Sequence, residues 1–203
     1  MHSINFQRIV TPTTMQPLLQ HLQQTGQFTE QQIEQLRSGI QCKTFQKGDY
    51  FSGNGQPVNE MAYVLKGILR VFSRNPEAQD ITRYFIDEHH FVVAGDESIQ
   101  AVMRTDLAVL SAAFLQDQGF TLSDWSKLRD IITATALVDK AEQISPNLAG
   151  DATARYRKFM EKYPQIAGRV PLSYLASYLG ITQQSLSRIR KQLTRKSPPR
   201  END

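Results

Sequence analysis

The chain has 203 residues, of which 40% are hydrophobic and 9% aromatic. This length holds one large domain or two modest ones, and the composition argues against a disordered chain. There is no apolar run of about 18 residues and no secretory pattern at the N-terminus, so we expect a cytoplasmic protein without a membrane partner. The single cysteine, Cys42, cannot form an internal disulfide or a cysteine cage for a metal.

Charge is distributed unevenly along the chain. Residues 1–150 carry 12 Lys/Arg against 16 Asp/Glu, whereas residues 151–203 carry 11 Lys/Arg against 4 Asp/Glu, a net charge of +7. A basic end on a mildly acidic body is typical of nucleic-acid binding. Charge alone leaves open the alternative of a solvated basic tail.

The N-terminal half predicts helices followed by strands. Residues 12–41 are predicted to be helical, and Thr29 followed by Gln32 resembles a capping box. Between Cys42 and Ser111, short runs rich in β-forming residues alternate with glycines, which predicts an antiparallel barrel or roll.

Residues 124–145 are predicted to form one long helix with two apolar stripes. One stripe contains Leu128, Ile132 and Ala136. The other consists of Ile131, Ala134, Val138 and Ala141. Two stripes indicate two covered surfaces, the barrel on one side and a partner helix on the other. The alternative is a helix buried wholly within its own subunit.

The segment 170–193 has the pattern of a helix-turn-helix, and a basic helix over residues 152–162 precedes it. Ala176 is small enough for a second helix to cross closely, Gly180 suits the tight turn, and Thr182 is a good N-cap. The inward face of the second helix is predicted to consist of Leu186, Ile189 and Leu193.

The opposite face of this helix has the chemistry for reading DNA. Glutamine can form two hydrogen bonds with adenine, and arginine can do the same with guanine, while hydroxyl groups and a helix N-terminus can hold phosphates. The candidate DNA-binding residues are Ser173, Thr182, Gln183, Gln184, Ser185, Ser187, Arg188, Arg190 and Lys191. The alternative is a surface hairpin of helices with a solvated polar face.

Taken together, these motifs resemble the Crp/Fnr family of bacterial regulators, and the resemblance covers nearly the whole chain. The segments that carry it are 45–49 with Gly55, 63–71, 176–182 and 185–191, the last two being similar to the Bacteroidetes-type subgroup. The resemblance implies an α+β chain with a cyclic nucleotide-binding-like double-stranded β-helix barrel, a long dimerisation helix and a C-terminal helix-turn-helix domain. We expect these parts to span residues 1–122, 123–150 and 151–203.

The chain departs from the cyclic nucleotide-binding members of the family. Those members place an arginine before a Ser/Thr to hold the cyclic phosphate, but here Glu97 precedes Ser98. A carboxylate at that position repels a phosphate, and the segment 91–99 leaves little room for the short helix of a phosphate-binding cassette. We therefore expect no control by cyclic AMP, and we expect Asp96 and Glu97 to form a solvated acidic loop.

The function predicted is that of a transcription regulator that binds double-stranded DNA as a homodimer on a roughly palindromic operator. RNA polymerase is a further candidate partner, and the sequence identifies neither a small-molecule effector nor a cofactor. One alternative is a cupin-like enzyme or metal-binding protein, for which the only histidine cluster is Glu88-His89-His90. Adjacent residues on a strand point to opposite faces, so we expect no metal and no catalytic residue there. A non-signalling scaffold is the other alternative.

Overall fold

The computed structural model describes residues 12–53, 60–144 and 150–196. The eight helices of this part are α1 (Pro12–Gln24), α2 (Glu30–Gly39), α3 (Ala112–Asp117), α4 (Leu122–Ile144), α5 (Ala152–Lys162), α6 (Pro164–Ala167), α7 (Leu172–Tyr178) and α8 (Gln183–Lys196). The eight strands are β1 (Gln41–Phe45), β2 (Tyr50–Ser52), β3 (Glu60–Lys66), β4 (Leu69–Arg74), β5 (Asp80–Ile86), β6 (Phe91–Val93), β7 (Ser98–Ala101) and β8 (Thr105–Ser111). Gly55, part of the family resemblance, lies outside the described residues.

The strands form two four-stranded antiparallel sheets, in the orders β1-β8-β3-β6 and β2-β7-β4-β5. Alternate residues of both sheets point into a shared apolar interior, where Val64, Leu69 and Leu107 are fully buried. This arrangement confirms the predicted double-stranded β-helix barrel. Among the described helices, none is long and apolar enough to cross a membrane.

The N-terminal helices close one side of the barrel. In α1, Leu18, Leu19 and Leu22 are at most 1% exposed and join the core that includes Tyr63 of β3. The predicted capping box at the start of α2 is confirmed: Thr29 Oγ1 accepts from the Gln32 amide, and the Gln32 side chain accepts from the Thr29 amide.

The long helix α4 packs one of its two apolar stripes against the barrel. Leu128 and Ile132 are fully buried in the core shared with α1 and α2. On the other stripe Ala134 is exposed and Val138 is 60% exposed, and the neighbouring Leu137 is 59% exposed. The expected contact with the barrel is confirmed, and the alternative of a helix buried wholly within its own subunit is wrong.

The C-terminal helices α5–α8, here called the helical unit, share a core and dock on strand β5. Ser177 of α7 donates to the Asp80 carbonyl (3.0 Å) and accepts from the Thr82 amide (2.9 Å). The ring of Tyr178 packs on Phe85, with centroids 5.5 Å apart. Because these contacts join backbone and buried rings, they fix α7 on the barrel.

Arg70 of β4 reinforces this junction as a buried cation, only 2% exposed. Its guanidinium lies between two rings, 4.1 Å from the centroid of Phe72 and 4.2 Å from that of Tyr174 in α7. It also donates to Thr82 Oγ1 and pairs with Asp80 at 3.3 Å. Burying a charge is costly unless it is paired and hydrogen-bonded, and both conditions are met here.

The turn between β3 and β4 requires glycine, and Gly67→Ala should therefore destabilise the barrel strongly. Gly67 has φ +109°, and a Cβ there would lie 2.5 Å from Thr105 Oγ1 and 2.8 Å from the Arg104 carbonyl oxygen. Strain and overlap together should lower the free energy of unfolding by about 2–4 kcal/mol. Urea unfolding measures this, with Gly168→Ala as control because a Cβ there meets nothing within 4 Å. Equal urea midpoints for Gly67→Ala and Gly168→Ala would contradict the inference that a side chain at position 67 is strained.

Candidate nucleic-acid interface

Helices α7 and α8 form the predicted helix-turn-helix around a glycine turn. Gly180 has φ +65°, a left-handed conformation that glycine adopts without penalty. Ala176 is 2% exposed, and its carbonyl accepts from the Ile181 amide at 3.0 Å, which closes the turn. The expectation that a small residue and a glycine shape this corner is confirmed.

The start of α8 is capped by Thr182, as predicted. Thr182 Oγ1 accepts from the Ser185 amide at 3.1 Å and donates to Ser185 Oγ at 2.9 Å. The cap satisfies one of the otherwise unpaired amides of the first turn.

The two faces of α8 differ sharply in polarity. Leu186 and Ile189 are buried in the core of the helical unit. The candidates on the opposite face, Gln184, Arg188 and Lys191, are all exposed. Of the remaining candidates, Ser173 and Gln183 are exposed and Ser187 is half-buried. The structure thus brings a polar, cationic stripe to the surface of a helix whose other face anchors it.

Arg190 lies apart from this stripe. It lines a groove between α5 and α8 together with Arg157, Met160 and Glu161. Arg190 is four residues after the buried Leu186 and three before Leu193, which packs on the same core, so its side chain leaves the helix beside the buried face and not opposite it. Arg190 therefore lies on the α5 side of α8, whereas Arg188 lies on the exposed polar stripe.

The turn between β5 and β6, residues 87–90, holds the helical unit by ion pairing. Glu88 receives two hydrogen bonds from Arg169, which precedes α7, at 2.6 and 2.8 Å, and a third from the Gly67 amide at 2.7 Å. The hydrogen bonds from Arg169 lower the pKa of Glu88 to about 2. The pair therefore stays ionised at physiological pH.

Asp87 adds a second polar link through the same turn. It accepts from Gln165 of α6 at 3.1 Å and pairs with the His90 ring at 3.0 Å. Burial alone would raise the pKa of Asp87, but the hydrogen bonds from His90 and Gln165 outweigh burial and lower it. The hydrogen bond to Asp87 also raises the pKa of His90. The turn thus connects the barrel surface with two points of the helical unit.

The expectation that residues 88–90 lie on a strand was wrong. Residues Glu88, His89 and His90 lie in a tight turn and not on a strand, and His89 has φ +70°. The Glu88 carboxylate pairs with Arg169, and the His90 ring pairs with Asp87. Within residues 12–53, 60–144 and 150–196, no group of three potential metal ligands comes together.

Glu97 is not part of a solvated loop, contrary to expectation. Its carboxylate lies 2.8 Å from Lys140 Nζ of α4 and 3.8 Å from Arg83 of β5, while Asp96 is exposed as predicted. The backbone from 94 to 97 connects β6 to β7 without a helix. The position expected to carry a phosphate-binding arginine thus carries a carboxylate that engages the neighbouring cations.

Sequence patterns did not reveal the residues that join the barrel to the helical unit. Glu88 and Arg169 are 81 positions apart, and Asp87 and Gln165 are 78 apart. Arg70 was likewise unremarkable as one residue of a predicted strand. An arginine within the apolar run 68–72 was the one signal available, because a charge that is buried with such a run requires a partner.

No protein-family model matches the chain, and no curated protein matches it either. Solved structures do match. FixK2 from Bradyrhizobium japonicum is 18% identical, covering 77% of this chain and 85% of its own, with a TM-score of 0.62. The c-di-GMP responsive global regulator CLP from Xanthomonas campestris is 16% identical, covering 81% of this chain and 91% of its own, with a TM-score of 0.59.

A CRP/FNR-family transcriptional regulator from Thermus thermophilus is 15% identical, covering 80% of this chain and 90% of its own, with a TM-score of 0.53. The aligned regions cover 77–81% of this chain. The chain therefore has the fold of the Crp/Fnr regulators, as its sequence motifs indicated.

Proposed function

We propose that the protein is a cytoplasmic transcription regulator of Crp/Fnr type that reads a specific DNA sequence through α8. The single observation that carries this proposal is the exposed stripe of Gln184, Arg188 and Lys191 on a capped helix whose opposite face is buried. Glutamine and arginine at this spacing match the donor and acceptor pattern of base edges in the major groove. The net charge of +7 over residues 151–203 supports attraction to the phosphate backbone.

The proposal includes a homodimer formed along α4. The stripe of Ile131, Ala134, Val138 and Ala141, in which Ile131 is half-buried and the other three are exposed, recurs at alternating spacings of three and four, the pattern of a two-helix seam. A two-fold dimer would place two α8 helices in successive major grooves about 34 Å apart, on a roughly palindromic operator. The division into residues 1–122, 123–150 and 151–203 and a contact with RNA polymerase belong to the same proposal, which assigns no catalytic residue.

Replacing Arg188 should test the reading face directly. We expect Arg188→Ala to relax the preference at one base pair of each half-site, at a cost of about 1–3 kcal/mol in discrimination. The matched control is Arg190→Ala, which removes the same charge two residues away on the flank of α8. Selection of bound sequences from random DNA, followed by titration of the selected site, measures both.

The control should weaken binding to all sequences alike and leave the selected motif unchanged. If Arg188→Ala retains the full motif, α8 does not read DNA through this face. If the wild-type protein selects no motif at all, the proposal of a sequence-specific regulator is wrong and the scaffold alternative stands.

Cyclic AMP and cyclic GMP should not bind at physiological concentrations. A phosphate in the pocket beside Glu97 would meet the carboxylate of that residue. The nearby cations Lys140 and Arg83 already pair with Glu97. Arg104 is engaged elsewhere, 3.9 Å from Asp106. Losing one charge-assisted hydrogen bond and adding a like charge should weaken affinity about 100-fold or more relative to a site with arginine. Calorimetric titration measures this, and a low-micromolar dissociation constant for cyclic AMP would contradict it.

A further inference from the structure

We propose that Arg70, a cation buried in the barrel, is a positioning residue for DNA binding. It sets the orientation of α7 and α8, so that both helical units of a dimer reach their half-sites at once. Arg70 is 2% exposed, so it cannot contact a phosphate or a base itself, and its effect on DNA must pass through α7. This role rests on the proposed function and belongs to a residue outside the helix-turn-helix.

The guanidinium of Arg70 is held between an aromatic ring of the barrel and one of the helical unit. Its central carbon lies 4.1 Å from the centroid of Phe72 in β4 and 4.2 Å from that of Tyr174 in α7. A cation over a ring face is attracted to it, and the attraction is stronger where water is excluded. Because one flat group contacts both rings, Tyr174 can move little relative to Phe72 while the contact persists.

Two residues of β5 orient this guanidinium and also bind α7. Arg70 Nε donates to Thr82 Oγ1 at 3.0 Å, and the Asp80 carboxylate lies 3.3 Å from a terminal nitrogen. With their backbone, the same two residues hold Ser177: the Thr82 amide donates to its hydroxyl, and the Asp80 carbonyl accepts from it. Since β5 is the edge of its sheet, these backbone groups bond to α7 instead of another strand.

Motion of α7 is transmitted to α8 because the two helices share a core and a closed turn. The Ala176 carbonyl accepts from the Ile181 amide at 3.0 Å, and Leu175 and Leu186 are buried in the same core. Helix α8 has 14 residues and is therefore about 21 Å long. A tilt of about 10° moves its end by about 3–4 Å, close to the spacing of about 3.4 Å between successive bases of a strand. A small change at the junction thus displaces the reading face by about one base step.

This displacement predicts which step of DNA binding depends on Arg70. One α8 helix on one half-site can adapt its position, so it does not need a fixed orientation relative to the barrel. Two α8 helices on half-sites about 34 Å apart must keep both their separation and their direction. Loss of Arg70 should therefore weaken simultaneous contact with two half-sites and spare contact with one, whereas a loss of stability alone would weaken both.

The test compares two DNA duplexes in titrations of the full protein: the selected operator, and the same operator with one half-site scrambled. The wild type should prefer the complete operator by about 10²–10⁴-fold, the gain expected from a second linked contact. In Arg70→Gln this preference should fall about tenfold or more, while affinity for the single half-site stays within about twofold of the wild type.

Substitutions at Tyr174 remove the same contact from the side of the helical unit and leave the barrel residues unchanged. Tyr174→Leu removes the ring and should lower the preference as Arg70→Gln does. Tyr174→Phe keeps the ring and should keep the wild-type preference. If urea unfolding shows that Arg70→Gln does not fold, the two Tyr174 variants decide alone.

Arg74→Gln is the matched control, because Arg74 lies on the same strand and pairs with the same Asp80 at 3.2 Å, but its side chain is 56% exposed. It should keep the full preference. An unchanged preference in Tyr174→Leu and in a folded Arg70→Gln, or an equal loss of affinity on both duplexes, would overturn the role of Arg70 alone. A wild type that selects a motif without favouring the complete operator would overturn the dimer and this role together, and one that selects no motif would overturn the proposed function itself.

Discussion

Two glutamates introduced on the exposed side of α4 should convert the protein into a monomer that binds DNA weakly. Leu137 and Val138 are about 60% exposed in a single subunit, and we expect a second copy of α4 to cover them in the dimer. In Leu137→Glu/Val138→Glu, four carboxylates would face one another across the two-fold axis. Because dimer binding gains an intramolecular second contact, its loss should lower DNA affinity about 10²–10⁴-fold.

Sedimentation or light scattering at micromolar concentration measures the mass, and a titration with the selected operator measures the affinity. The matched control is Tyr50→Glu/Phe114→Glu, which introduces the same charges at two exposed aromatic residues outside α4. The control should remain a dimer with near-normal affinity. A wild-type protein that is a stable monomer and still binds its site tightly would contradict the proposed assembly.

DNA affinity should fall by about 10³–10⁵ between 50 and 200 mM monovalent salt. Each lysine or arginine that neutralises a phosphate releases a condensed counterion, and this release becomes less favourable as salt rises. Residues 151–203 carry 11 Lys/Arg in each subunit, enough for the 6–10 phosphate contacts on which such a slope depends. The slope of log K against log salt reports the number of neutralised phosphates.

Removing Arg195 and Lys196, whose side chains lie outside the described part of α8, should reduce the slope by about 0.9 for each phosphate that is no longer neutralised. It should weaken binding to all sequences alike, in contrast to Arg188→Ala. The matched control Lys47→Ala/Arg129→Ala removes the same charge from the barrel and α4, where both residues are exposed. A slope that is shallow in the wild type, or equally reduced in the control, would show that the basic C-terminal end does not bind phosphates.

Local patterns in the sequence were sufficient for the elements and their buried faces. The capping box of α2 and the Ala176–Gly180–Thr182 corner were each predicted from residues within one or two helical turns. These features depend on backbone conformation and periodicity, which neighbouring residues determine. The boundaries followed closely, with α4 beginning at Leu122 where residue 124 had been predicted.

The same patterns were insufficient to predict which neighbours single side chains contact where two elements pack together. The DNA-binding role of Arg190 stays a prediction, but its location beside a groove against α5 was not predicted from the helical pattern. Glu97 was expected in solvent and instead lies beside Lys140 of α4. Both outcomes depend on which element packs alongside, and no local period contains that information.

The amino-acid sequence by itself thus determined the order of the elements, the barrel, the apolar stripes of α4 and the polar stripe of α8, since each follows from residues close together in the chain. Only the tertiary structure decided how the helical unit docks on β5, through Ser177, Arg70 and the Glu88–Arg169 pair. Such pairings join residues up to about a hundred positions apart, and their strength arises from burial and geometry that exist only once the chain has folded.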